Sequence, residues 1–143
     1  MRKRSTYRPR HKSPPMLINR GLAESDIETR ERMVVEAFSG GWANTDHYDT
    51  LADMRSVLVL AAAAKHDQST LAICDAMKIP MANLRERYAR HQRFGLTGDE
   101  LQLLRVFVDQ YRDFWIRQPV TLYVDACDGL NRAYQLGLVK EQA

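Results

Sequence analysis

The stretch TGDELQLLRVFVDQYRDFW, residues 97–115, narrows the possible folds more than any other part of the chain. Leu101, Leu104, Val108, Tyr111 and Trp115 recur at spacings of three and four, the repeat of a helix with one apolar face. Thr97 and Glu100 stand where a capping box would satisfy the first free backbone N–H groups. A helix of this kind must bury its stripe, and the rest of the sequence offers further helices to bury it against.

Ser25 and Glu28 form a second S-x-x-E pair, followed by Ile27, Val34, Val35 and Phe38 on one face and by Gly40-Gly41 as a stop. WANTD opens the next helix with Asn44 or Thr45 as the cap, and its stripe runs Leu51, Met54, Leu58, Ala61 and Ala62. Two segments follow, about 68–78 and 80–93, divided at KIP, because Pro80 lacks the N–H that would continue a preceding turn. Pro119 reads as the first residue of a last helix with Val120, Tyr123, Cys127, Leu130 and Tyr134 inward and Gly137 as its end. No hairpin signal or internal repeat competes with this pattern. The expectation is an all-α fold, a single bundle of five or six helices over 23–143, with its last two long helices as an antiparallel hairpin.

Charge separates the remaining residues from that bundle. Seven of the 21 Lys and Arg fall in residues 1–20, where no Asp or Glu stands; the other 123 residues hold 14 basic and all 18 acidic side chains, a net of −4. Residues 1–22 therefore read as a basic arm, and Pro9, Pro14 and Pro15 favour an extended chain over a folded one. Arg2, Lys3, Arg4, Arg8, Arg10 and Lys12 suit contact with phosphates, and Tyr7 suits stacking on a base. The same arm would also fit an acidic groove on a protein, or serve only as a solvated tail.

Residues 69–93, STLAICDAMKIPMANLRERYARHQR, have the outline of a helix-turn-helix. Cys74 lies in the first helix, Met77 and Ile79 flank a short turn, and Leu84 is on the inner face of the second. Asn83, Arg85, Glu86, Arg87 and Arg90 would then face outward, and Arg93 extends the basic patch. Lys78 stands where a turn glycine is common, and two amphipathic helices broken by a proline would leave the same trace.

Catalytic and metal chemistry find little support. Asp46, His47 and Asp49 lie one and two residues apart, a spacing that does not share a helix face. No glycine-rich phosphate loop or nucleophile elbow is present, and two cysteines without CxxC spacing suggest reduced, buried thiols. The sequence thus predicts a protein that is not an enzyme and takes no cofactor or metal. No apolar run approaches the roughly 20 residues of a membrane span. Phe114, beside charged neighbours, would with Phe107 line either the core or a surface for a partner or a second copy.

The opening RKRSTYRPR resembles an arm of the form R-K-R-S-x-Y-R-P-K/R found in small, mostly uncharacterised phage and prophage proteins of proteobacteria. RFGLTGDELQLL, residues 93–104, is similar to that group's approach to its penultimate helix. In the group, the region matching 79–93 is one helix without a proline. The resemblance implies a helical body acting in a bacterial cytoplasm and supplies no catalytic residues. Together with the charge pattern it implies a protein that binds DNA, RNA or a host nucleic-acid-handling complex to regulate transcription. The alternative is an inhibitor or adaptor that binds a host protein through helical surface.

Overall fold

The computed structural model describes the backbone of residues 20–137 and the side chains of 24–137. Six helices follow one another: α1 (Arg20–Gly40), α2 (Thr45–Ala64), α3 (Gln68–Ala76), α4 (Lys78–His91), α5 (Gly98–Ile116) and α6 (Val120–Gln135). The all-α expectation holds, and the basic residues at 2–12 lie outside the described residues.

Local chemistry sets the helix ends. At the end of α1, Gly41 takes φ 77°, a left-handed conformation costly to residues with a Cβ, and the Trp42 N–H returns to the Ala37 carbonyl at 3.1 Å. Asn44 caps α2, its Oδ1 accepting from the Asp46 and His47 N–H groups while His47 Nδ1 accepts from the Asn44 N–H at 2.9 Å. Asp67 caps α3 through Thr70, and Thr97 with Glu100 forms the capping box foreseen for α5.

Helix α1 begins at Arg20. Ser25 is therefore inside the helix and not its cap. The reason is tertiary: Asp26 is held by Arg30 and Tyr123, which fixes the turn containing Ser25 from its inner side. Pro119 is likewise the N-cap of α6, with Val120 the first helical residue.

The core is built by α1, α2, α5 and α6, with α3 and α4 closing one side. Helices α1 and α5 run antiparallel, Glu31 meeting Arg112 and Val35 lying by Val108 further along. Helix α6 runs antiparallel to α2, where Asp53 meets Tyr134 and the Leu60 side chain lies opposite Gly129. The expected hairpin of α5 with α6 does not form: α6 packs chiefly on α2 and then on α1, while α5 packs on α1 and α3. The short Arg117–Pro119 connection turns α6 away from α5, and Tyr123 then reaches across to α1.

Every residue of the α2 stripe is buried, as are Leu104, Val108, Tyr111 and Trp115 on α5. Phe107 and Phe114 are also fully buried, at 0% exposure. They belong to the core, not to a partner surface, because α5 is covered by α1 on one side and α3 on the other. Truncating either to Ala would cost about 3–5 kcal/mol. Phe94, in the loop after α4, folds inward and stacks on Tyr88 and Tyr48 with centroids 4.6 and 5.3 Å away. No periodicity announced it, because a single loop aromatic has no repeat.

Candidate functional site

The basic face foreseen on α4 divides in two. Arg87 is drawn onto the start of α5, where its two terminal nitrogens meet Glu100 Oε1 and Oε2 at 2.5 and 2.8 Å and one also reaches the Gly95 carbonyl at 2.7 Å. The bond from Arg87, helped by the Thr97 N–H, holds the Glu100 carboxyl at about 2, well below the usual range. Asn83, one turn earlier, adds to the same carboxylate.

Arg85 is half-buried beside Tyr48, and its Nε is enclosed without a hydrogen-bond partner. Burial pushes the Tyr48 hydroxyl up to about 12, against the pull of Arg85, and that hydroxyl donates to the Met81 carbonyl at 3.2 Å. Arg87 is thus bonded across to α5, and Arg85 is turned inward against Tyr48. Arg90 is exposed, 3.5 Å from an exposed Glu86, and Arg93 is exposed just past the helix end. Arg90, His91 and Arg93 face solvent, beside exposed Asn83 and Glu86.

The helix-turn-helix outline fails at its turn. Met77 alone separates α3 from α4, serving as C-cap of one and N-cap of the other. The motif needs a turn of three or four residues to set its helices across one another. Ile79, expected at the turn, is 72% exposed, whereas Cys74, Met77 and Leu84 are buried as foreseen.

A second region emerges only in three dimensions. A cavity of about 370 Å³ opens between the first turns of α1, the end of α5 and the start of α6. Ile27, Trp115 and Val120 give it apolar lining, and Ile116 is 72% exposed at the mouth. Glu24 and Glu28 on α1 stand exposed along one side, and the buried Glu31 faces Arg112 on α5. Arg112 is taken by Glu31, at 2.7 and 2.8 Å, and Glu28 makes no ion pair with a described residue. The three carboxylates recur at spacings of four and three along α1, so they follow one helix face.

Behind the cavity lies a buried polar network. Tyr123 donates to Asp26 Oδ2 at 2.5 Å, and Arg30 donates to the same oxygen at 3.0 Å. Burial works against the Arg30 charge, but the Tyr123 and Asp26 oxygens outweigh it and raise its pKa. The Tyr111 hydroxyl and the Trp115 indole N–H are enclosed without a partner. Cys74 and Cys127 are buried and unbonded, and burial pushes both thiols up to about 11.

Among the described residues, no three His, Cys, Asp or Glu side chains are placed to hold a metal ion, and no helix is long and apolar enough to cross a membrane. His47 serves the α2 cap, Asp49 is buried and Asp46 is exposed, so the three do not converge. Comparison of the chain with family models, with curated proteins and with solved structures finds no match.

Proposed function

We propose that this chain is a non-catalytic, phage-type regulator that grips nucleic acid, or a host complex containing it, in a bacterial cytoplasm. One observation carries the reading: seven basic and no acidic side chains in residues 1–20, joined to a body of net charge −4. A polyanion is the partner such a segregated charge attracts. Arg2, Lys3, Arg4, Arg8, Arg10 and Lys12 would lie along phosphates, with Tyr7 stacked on a base. Arg90 and Arg93, the two α4-region arginines that face solvent, would extend that track; Arg87 is bonded to Glu100 and Arg85 is turned inward against Tyr48.

The test is a salt titration of binding to a labelled duplex and to a single strand of either sugar, with the full chain and with the six arm residues replaced by Ala. Six phosphate contacts give a slope of log affinity against log salt of about −5 on a duplex. Loss of that slope in the variant, with helicity unchanged, is the expected result. Binding that survives the six substitutions would defeat the reading.

The second reading is an inhibitor or adaptor that binds a host protein through its helices. It is favoured by the partly apolar groove between α1 and the α5–α6 turn, where Ile116 stands exposed. A host protein that is retained through nuclease treatment, and released by Ile116→Asp, would decide for it.

A further inference from the structure

Trp42, just past the end of α1, is 57% exposed, while every other Phe, Tyr or Trp among the described residues is buried or half-buried. A lone exposed aromatic needs no explanation, but one whose ring is locked in place does. The Nε1–Cδ1 edge of its indole lies against Gly40 so closely that a Cβ there would collide with both atoms. The His47 ring crosses the indole at 86°, with centroids 5.2 Å apart. His47 is itself fixed, because its Nδ1 accepts the Asn44 N–H at 2.9 Å in the α2 cap. The Trp42 N–H is bonded to the Ala37 carbonyl at 3.1 Å. Backbone and ring are therefore both set, and the set position leaves the indole in water.

Cations stand at the same end of the molecule. The loop after α4 packs where α1 stops and α2 starts: Phe94 meets Phe38 at 6.2 Å and Tyr48 at 5.3 Å, the residues four before and six after Trp42. Arg93 adjoins Phe94, and Arg90 and His91 form the last turn of α4; all three are exposed. Asp46, Glu86 and Asp99 are exposed at or near this end too, so its charge is mixed and the strong pull on phosphates belongs to residues 1–20. What this end adds is an aromatic surface. Bases stacked on aromatic rings beside cations are how single strands are held without sequence preference. A duplex offers no such contact, because its bases are already stacked on one another.

We propose that Trp42 is a preset stacking platform for one unpaired base of a DNA or RNA single strand, with Arg90 and Arg93 on neighbouring phosphates. This rests on the nucleic-acid reading and narrows the partner to a strand with open bases. Gly40 and His47 are positioning residues. They hold the indole before the strand arrives, so less side-chain freedom is lost on binding.

The probes are a short oligothymidylate, an oligouridylate of equal length, and an abasic strand that has the phosphates but no bases. A base stacked on Trp42 quenches its emission, whereas Trp115 is buried and unaffected. Quenching is expected with a base-bearing strand and not with the abasic one, and the tighter of the two sugars identifies the source. Trp42→Ala, with helicity unchanged, should weaken binding of that strand about tenfold and leave the abasic strand alone. Gly40→Ala keeps the indole but forces it off its seat, and should weaken the same strand several-fold.

Unchanged affinity of the base-bearing strands in Trp42→Ala, or equal weakening on the abasic strand, would overturn the platform. Unchanged affinity in Gly40→Ala would overturn the preset position. If the abasic strand still binds and is lost with the six arm substitutions, the nucleic-acid reading outlives either failure. If no strand binds, both fall together. A host protein released by Trp42→Ala, with strand binding unaltered, would give this surface to that protein instead.

Discussion

Arg87 holds Glu100 through both of its terminal nitrogens across thirteen residues of chain, and the same guanidinium reaches the carbonyl of Gly95 in between. The end of α4, the loop after it and the first turn of α5 are thus fastened at one point. Planar fork geometry permits this; a lysine would supply a single point charge instead. Arg87→Ala should lower stability by on the order of 1–2 kcal/mol, with the partial exposure of the pair keeping the figure modest. Urea denaturation measures it. Affinity for a polyanion should stay unchanged, and a variant that lost that affinity at full stability would return Arg87 to a binding face.

The same pair makes stability depend on acid. The Glu100 carboxyl is held at about 2 in the folded protein, against an ordinary 4.5. A depressed carboxyl contributes stability that is fully present above 4.5 and lost as pH falls from there through about 2. Glu100→Gln removes this contribution. The stability gap between native and variant protein should therefore narrow as pH falls across that window, and a gap independent of pH would show that the Glu100 carboxyl is not held low in the folded protein.

Two buried tyrosines predict opposite outcomes for one kind of substitution. The Tyr123 hydroxyl donates to Asp26 at 2.5 Å and closes a network with Arg30, whereas the Tyr111 hydroxyl is enclosed with no partner. Tyr123→Phe should cost about 1–2 kcal/mol because it takes a charge-assisted donor from the part-buried Asp26 carboxylate. Tyr111→Phe removes an unsatisfied group and should be neutral or stabilising. Thermal unfolding of the two variants distinguishes them, and equal losses would count against this account of the network.

Cys74 and Cys127 should be inert while the protein is folded. Burial raises both thiols to about 11, so little thiolate exists near neutral pH and reagent has no path to it. A chromogenic disulfide should label both only as fast as the protein unfolds. Rapid labelling of either in the native state would mean that its helix opens locally.

What the sequence determined by itself was local and repetitive. The spacing of Leu104, Val108, Tyr111 and Trp115, the Thr97–Glu100 box, the Asn44 cap and the stop at Gly41 depend on neighbours within about one turn, which a linear reading can see. Tertiary structure decided what each helix touches. Phe114, beside charged neighbours, fitted either the core or a partner surface, and it is wholly buried because α5 is covered on two sides. Arg87 read as a solvent-facing cation, yet it turns to Glu100, a partner thirteen residues away with no periodic relation to it. Ser25–Glu28 matched a cap, but Asp26 between them is bonded to Tyr123, 97 residues on, and the helix starts earlier. The groove was invisible for the same reason: its glutamates are written in α1 and its apolar lining mostly in α5 and α6. Carboxylates and apolar side chains from segments so far apart in sequence become one site only when packing of the whole core brings their helices together.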